Sequence, residues 1–170
     1  MYATLTNNLA ALLRSYRLVA GLMLMCVINA CTTLPGEQAV TAGAVRGIAI
    51  VPLVDGDTRI DIATDSAFDF GRAELLPAFA KRLATVVKPY QQDSVQVSAY
   101  TDNVGAAAFN LDLSQRRAHA IADVLHEQGF SKAQLTVSGY GDANPVASNA
   151  TETGRRLNRR IELLITAKVP

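Results

Sequence analysis

Thr101, Asp102, Asn110 and Arg117 are the side chains best suited to holding a small charged ligand. Thr101 and Asp102 directly follow a predicted strand, whereas Asn110 and Arg117 lie in a segment that leads into a predicted helix. Polar groups at the end of a strand beside a helix N-terminus often form small-ligand sites. The four side chains offer hydrogen-bond acceptors, amide and hydroxyl groups, and the fixed fork of a guanidinium. This chemistry predicts non-covalent binding.

Each of these residues also has a structural interpretation. Asp102 alone is equally suited to capping the turn that runs to Gly105, and Arg117 alone would be an ordinary solvated arginine on a helix. We expect Thr101 and Asn110 to order the loop and also to contact ligand. Ser114 lies where a helix cap is needed, so a structural role is predicted for it.

Residues for catalysis or metal binding are scarce. The chain has two cysteines, Cys26 and Cys31, and both lie in its apolar N-terminal part. Its two histidines, His119 and His126, fall on one predicted helix without a nearby acid and serine that would complete a catalytic arrangement. Catalysis would need a nucleophile with a base, paired acids or a metal. We therefore predict no metal, no cofactor and no enzymatic activity.

The elements that must position these side chains alternate between strand and helix. Short alternating segments predict strands, and apolar residues at helical spacing predict helices that begin at Pro77 and before Ala118, with Gly129 as a left-handed cap. The predicted strands centre on Ile60–Ile62, Val95–Ala99, Leu135–Val137 and Ile161–Ile165. This pattern predicts an α+β fold whose sheet is covered by helices on one face and partly wet on the other.

The N-terminal 31 residues have the features of an export signal. Arg14 and Arg17 precede an eleven-residue apolar run, Leu18–Ile28, which suits a signal peptide and is too short to span a membrane. Residues 28–31 (Ile-Asn-Ala-Cys) resemble a bacterial lipobox, which implies lipid modification of Cys31. By the same resemblance Thr32, in place of Asp, indicates the outer membrane, with the domain facing the periplasm. The alternative is an ordinary cleaved signal with an incidental cysteine.

A linker is predicted between this signal and the folded domain. Residues 32–54 are small and polar at first, then include the apolar run Ile48–Leu53, which predicts a short edge strand ended by Pro52. The domain is predicted to occupy residues 55–170. All 15 Asp and Glu residues and all but two of the 16 Lys and Arg residues follow Cys31, so this part is nearly neutral. Such a balance argues against nucleic-acid binding.

Several motifs in a fixed order resemble OmpA-like domains, the family that includes the peptidoglycan-associated lipoproteins. Residues 101–105 and 110–118 match the patterns T-D-x-x-G and N-x-x-L-S-x-x-R-A. Further matches are Phe68–Phe70, Gly139–Gly141 with Pro145, and Asn158–Glu162. The resemblance extends from about Ile60 to Thr166. It implies a βαβαβ(α)β mixed sheet with the helices packed on one face.

The resemblance also implies a ligand, the meso-diaminopimelate of the peptidoglycan stem peptide, held by Asp102 and Arg117. A free end of diaminopimelate carries an ammonium and a carboxylate on one carbon. The aspartate can accept from the first, and the guanidinium can clamp the second. The family often has histidine at Tyr100, so we expect binding with altered contacts there. The arginine cluster 155–160 is expected to pair with acidic neighbours and to help hold an acidic wall polymer.

The implied function is a non-catalytic tether between the outer membrane and the cell wall. Two alternatives stay open. One is a wall-binding component of a secretion or flagellar-stator assembly, in which other envelope proteins would be partners; such proteins usually have a transmembrane helix. The other is a peptidoglycan-modifying enzyme, which would release soluble muropeptides.

Replacing Cys31 tests the predicted anchor. Cells expressing the protein are labelled with a fatty-acid analogue, and we expect the wild-type chain to take up label and Cys31→Ala to lose it, because the lipid is joined to that sulfur. Cys26→Ala is the matched control and should retain the label. Equal labelling of wild type and Cys31→Ala would contradict the lipobox interpretation.

Overall fold

The computed structural model describes residues 46–168. The predicted signal, the predicted lipidation site Cys31 and the first part of the predicted linker lie outside these residues. The elements in chain order are β1 (Ile48–Pro52), β2 (Thr58–Ala63), α1 (Thr64–Ala67), α2 (Pro77–Val87), β3 (Ser94–Ala99), α3 (Ala107–Glu127), β4 (Leu135–Gly139), α4 (Glu152–Asn158) and β5 (Arg160–Thr166). Short 3-10 turns lie at Lys88–Tyr90 and Lys132–Gln134.

The five strands form one mixed sheet in the order β1-β2-β5-β3-β4. β3 and β4 are parallel and are joined through helix α3, as parallel neighbours require a crossover connection. The other pairs are antiparallel. The predicted α+β class and mixed sheet are therefore confirmed. β5, the last strand of the described residues, lies in the centre and pairs along the full length of β2 and β3.

Strand β1 places the start of the sheet inside the segment predicted as a linker. It pairs with β2 from Ile48↔Ile62 to Pro52↔Thr58 and lies at the sheet edge. Proline is tolerated there because an edge strand has a free side. Gly56, with φ of +90°, makes the turn between the two strands.

The core lies between the sheet and helices α2 and α3. Alternate residues of the strands, among them Ile62, Val97 and Leu163, are fully buried on one face. Phe79 of α2 and Ile121 of α3 belong to the same buried cluster. The other face carries polar side chains such as the Arg160–Glu162 ion pair. Period-two alternation thus directs one row of side chains into the core and one towards solvent.

Helix α3 begins earlier than the sequence suggested, and this changes the role of Ser114. The helix starts at Ala107, so Ser114 is in its interior, fully buried, and caps nothing. Its hydroxyl donates to the carbonyl of Leu111 (2.8 Å) and accepts from the backbone N–H of Gly141 (2.8 Å). The predicted cap was wrong, although the role is structural: Ser114 joins the helix to the loop after β4.

The C-terminal end of α3 agrees with the prediction. Gly129 has φ of +99°. The N–H of Phe130 donates to Leu125 O (3.2 Å), and that of Gly129 to His126 O (3.0 Å). This is the Schellman arrangement. In residues 46–168 no helix is both long and apolar enough to cross a membrane.

A glycine sets the distance between α3 and β4. A Cβ atom built on Gly139 would lie 2.2 Å from the backbone nitrogen of Gln115. The Gln115 side chain also accepts a hydrogen bond from the Gly139 N–H (2.8 Å). Only a residue without a side chain permits this approach, which brings the middle of α3 close to the C-terminal end of β4.

Substitution of Gly139 tests this packing. Gly139→Ala should lower the free energy of unfolding by about 3 kcal/mol, because helix backbone must move away from the strand. Ser138→Ala, one residue earlier and on the opposite face, should change it by less than about 0.5 kcal/mol. Urea denaturation followed by circular dichroism measures both. A Gly139→Ala variant as stable as Ser138→Ala would show that the close approach is not a constraint.

Candidate functional site

A cleft of about 740 Å³ opens where α1, α4, the loop after β3 and the first half of α3 meet. All four side chains singled out in the sequence, Thr101, Asp102, Asn110 and Arg117, line it. Fifteen positions separate Asp102 from Arg117 in the chain, and the crossover from β3 into α3 brings them to one cavity. The remaining lining residues are Asp65, Phe68, Asp69, Phe70, Gly71, Val104, Phe109, Leu113, Glu152, Arg155 and Arg159.

Asp102 is fixed by two donors. Its Oδ1 accepts the backbone N–H of Val104 (3.0 Å), which closes the turn, and its Oδ2 accepts from Arg159 Nη1 (2.7 Å). The residue is 8% exposed. A carboxylate has about four acceptor positions, so this aspartate performs the turn-capping role and keeps capacity for a further donor on the cleft side.

Arg117 is buried but has free donors. It is 6% exposed, and its Nε donates to the carbonyl oxygen of Arg72 (2.8 Å). The guanidinium carbon lies 5.2 Å from the centre of the Phe68 ring. Within residues 46–168 the two Nη nitrogens make no hydrogen bond or ion pair. Burial lowers the pKa of Arg117 from its ordinary value; a guanidinium stays charged at neutral pH regardless.

Thr101 and Asn110 hold the loop in shape, as predicted from the sequence. The Thr101 hydroxyl donates to the carbonyl of Asp102 (2.9 Å). The Asn110 amide donates to the carbonyls of Asp102 (3.2 Å) and Val104 (3.1 Å). Asn110 therefore ties the first turn of α3 to the loop that carries Asp102, and it fixes the position of that carboxylate relative to Arg117.

Arg159 is the residue that the sequence analysis did not single out. It forms ion pairs with Asp65 (2.8 Å), Asp102 (2.7 Å) and Glu152 (3.0 Å), which belong to three different elements. Hydrogen bonds to Asp65 and the other carboxylates raise its pKa above the ordinary value. The available signal was the arginine cluster 155–160, for which pairing with acidic neighbours was expected and is confirmed. The partner Asp65, 94 positions away, had no signal in the sequence.

Helix α4 holds Arg159 in place through Asn158. The buried Asn158 side chain accepts the N–H groups of Val146 (2.9 Å) and Ala147 (3.0 Å) and donates to Ala147 O (2.9 Å). It thereby secures the loop before α4 to the helix. Arg159 is the next residue, so its backbone is anchored beside this buried amide, and its side chain is held by the three carboxylates.

The lining residues give the cleft an uneven charge distribution. Four carboxylates and three guanidinium groups line it, and three of the carboxylates share Arg159. Glu152 also pairs with Arg155 (2.7 Å). Hydrogen bonds from Arg159 and then Arg155 lower the pKa of Glu152, so its contribution to stability is present at neutral pH and is lost as the pH falls through that lowered pKa. Among the described residues, the cleft thus offers acceptors beside Asp102 and unpaired donors at Arg117.

Tyr100 lies away from the cleft. Its ring stacks on Tyr140 with centroids 5.2 Å apart, and the guanidinium of Arg160 lies 3.9 Å above it. Burial raises the pKa of its hydroxyl above the ordinary 10. Tyr100 is not among the residues that line the cleft, and the altered ligand contacts expected at this position stay a prediction.

Neither histidine belongs to the cleft. His126 bonds the carbonyl of Phe130 (2.9 Å), and His119 contacts Gln115 on the surface of α3 (3.2 Å). Across residues 46–168 there is no group of three or more His, Cys, Asp or Glu side chains that could hold a metal ion.

Comparison with known proteins identifies relatives of this domain. The OmpA family model matches residues 67–159. The probable lipoprotein YiaD of Escherichia coli is 36% identical over 134 residues, which cover 76% of this chain and 61% of that protein. The peptidoglycan-binding protein ArfA of Mycobacterium tuberculosis is 36% identical over 119 residues, which cover 67% of this chain and 36% of ArfA. The chain spans between 34% and 61% of the length of the first curated relatives it matches.

Two solved structures have the same fold as this domain. The cell wall anchor of the type VI secretion system from Pseudomonas aeruginosa superposes with a TM-score of 0.63 at 29% identity, covering 72% of this chain and 89% of that one. The peptidoglycan-associated lipoprotein of Burkholderia pseudomallei gives 0.51 at 29% identity, covering 59% and 88%.

Removing Arg159 tests its role as the shared partner of three carboxylates. Arg159→Ala should lower the free energy of unfolding by about 2 kcal/mol at neutral pH, because Asp102 is left nearly buried without its cation. Arg116→Ala, which breaks the exposed pair with Asp112, is the matched control and should cost less than about 0.5 kcal/mol. Chemical denaturation measures both. If Arg159→Ala and Arg116→Ala lowered the free energy of unfolding by the same small amount, Arg159 would not be the shared partner that stabilises the three carboxylates.

Proposed function

Since this chain belongs to the OmpA family, we propose that its folded domain is a non-catalytic binder of peptidoglycan, with the diaminopimelate of the stem peptide as the ligand. One observation carries the proposal: the same cleft holds a guanidinium that can bind an anion and carboxylates that can bind a cation. Arg117 is buried there, and within residues 46–168 neither of its Nη groups has a protein partner; Asp102 is fixed nearby among further carboxylates.

The free end of diaminopimelate carries both kinds of partner, a carboxylate and an ammonium. Its carboxylate would receive two parallel hydrogen bonds from Arg117, whose orientation is set in advance by the bond from Nε to Arg72. Its ammonium would donate to Asp102, and Asp65 and Glu152 add negative charge around it. A purely cationic ligand would leave the Arg117 guanidinium without an anion, and a purely anionic one would not use the carboxylates beside it.

The relatives support the same ligand class. ArfA is described as a peptidoglycan-binding protein, and the secretion-system protein as a cell wall anchor. The matches span only part of the curated relatives, so they support the ligand of the folded domain, whereas a function for the whole chain rests on its own N-terminal sequence.

For the whole chain we propose a tether. Residues 1–31 would be the export signal ending at Cys31, residues 32–54 a linker that includes the edge strand, and residues 55–170 the wall-binding domain. Lipid on Cys31 would hold the protein in the outer membrane with the domain in the periplasm. Several acyl chains together give an anchor that hardly dissociates. The relative YiaD is described as a probable lipoprotein.

We expect a low affinity of the site for one diaminopimelate unit, because few ligand atoms enter the cleft and each contributes a limited amount of binding free energy. Peptidoglycan presents the same unit many times, and a membrane-held protein stays close to it. Both effects raise the effective affinity without new contacts. A modest affinity for one unit is therefore compatible with lasting attachment to the wall.

Sedimentation with purified diaminopimelate-type peptidoglycan tests the proposal. The wild-type protein should co-sediment, whereas Asp102→Ala and Arg117→Ala should remain in the supernatant, with binding reduced at least about tenfold, since a charged hydrogen bond is worth roughly 1.5–3 kcal/mol. Arg117→Lys should also bind poorly, because the charge remains but the fork is lost.

The control for this experiment is Arg116→Ala, which replaces the neighbouring arginine on the exposed side of α3. It should sediment like the wild type, and circular dichroism should show that every variant is folded. Folded Asp102→Ala and Arg117→Ala variants that sediment as well as the wild type would disprove the site assignment.

A further inference from the structure

Three large apolar side chains at the cleft are exposed to solvent. Phe70 is 98% exposed, Val104 59% and Phe109 50%, and all three line the cleft that holds Asp102 and Arg117. Exposed apolar groups gathered at a cavity indicate a contact surface, whereas single ones elsewhere need no explanation. We call Phe70, Val104 and Phe109 the apolar rim.

Each member of the rim is connected to a residue of the polar site. Phe70 precedes Gly71 in a turn closed by the bond from Arg72 N–H to Asp69 O (3.1 Å), and Arg117 holds the Arg72 carbonyl. The N–H of Val104 donates to Asp102. Phe109 precedes Asn110 in the first turn of α3. The backbone at each rim residue is therefore anchored next to a residue of the polar site.

Binding of a small ligand by the charged groups of the cleft would not involve the apolar rim. Asp102, Arg117 and the carboxylates around Arg159 suit an ammonium and a carboxylate, but the three rim side chains offer neither charge nor hydrogen bonds. Burying a phenylalanine side chain is favourable by about 1.5–3 kcal/mol. A ligand whose apolar part follows directly on its charged end would use both parts of the cleft.

We propose that the apolar rim receives the stem peptide next to the bound diaminopimelate, in particular the methyl group of the alanine joined to it. This inference rests on the proposed function. The diaminopimelate side chain is only three methylenes long, so with its free end at Arg117 the attached peptide must pass the mouth of the cleft. The glycan is separated from diaminopimelate by two further residues and lies farther from the rim.

The test compares two soluble ligands and two rim substitutions. Nuclear magnetic resonance titration gives the Kd of free meso-diaminopimelate and of the sugar-free stem tetrapeptide that ends in diaminopimelate and alanine. The Phe70→Ala/Phe109→Ala variant should bind the tetrapeptide about tenfold more weakly than the wild type. Its affinity for free meso-diaminopimelate should change less than about twofold, because the charged groups are untouched.

The substituted residues are exposed, and alanine is favourable in the first turn of α3, so the variant is expected to fold. The control Val54→Ala/Val146→Ala replaces two other exposed apolar residues that do not line the cleft and should bind both ligands like the wild type.

The outcomes separate this inference from the proposed function. If the wild type binds neither ligand, both are wrong. If it binds both and the rim variant binds the tetrapeptide equally well, the inference alone is wrong. An equal loss for both ligands would also overturn it, since the rim would then only shape the charged site. A disaccharide-bearing muropeptide is titrated as a third ligand; if the rim variant loses affinity for it alone, the rim contacts sugar, which contradicts the peptide as its occupant.

Discussion

The site depends on one guanidinium shared by three carboxylates. Arg159 joins Asp65 at the start of α1, Asp102 in the loop after β3 and Glu152 at the start of α4. These residues come from distant parts of the chain, and without a cation between them three carboxylates in one cleft would repel one another. Because Arg159 is held through the buried Asn158, the position of the acidic side of the cleft is fixed by the fold.

A second arginine takes the opposite role. Arg159 is surrounded by carboxylates, which raise its pKa, whereas burial lowers the pKa of Arg117. Arg117 donates through Nε to the Arg72 carbonyl, and its two Nη groups have no protein partner in the described residues. A buried cation without an ion-pair partner is costly, so its place in a cleft supports the proposed role in anion binding. The aromatic ring of Phe68 beneath it offsets part of that cost.

Part of the site could be predicted from sequence, and part could not. The juxtaposition of Asp102 and Arg117 followed from two local motifs on either side of one strand-to-helix connection. The start of α3 was placed too late because Ala106, the residue before it, has no side-chain cap to mark the boundary. Ser114 was consequently assigned to the wrong part of the helix. The tie between Asp65 and Arg159 spans 94 positions and follows from the central place of β5 in the sheet, which no local pattern reveals.

The central claim is that Arg117 receives the carboxylate of diaminopimelate. The most direct measurement is a titration of the ¹⁵N-labelled purified protein with free meso-diaminopimelate, following the arginine side-chain nitrogen signals. The account predicts that the Arg117 signals shift and saturate with the ligand, that those of Arg159 shift with them through Asp102, and that those of exposed Arg116 stay in place. Saturable shifts confined to arginines outside the cleft, with Arg117 unchanged, would contradict it.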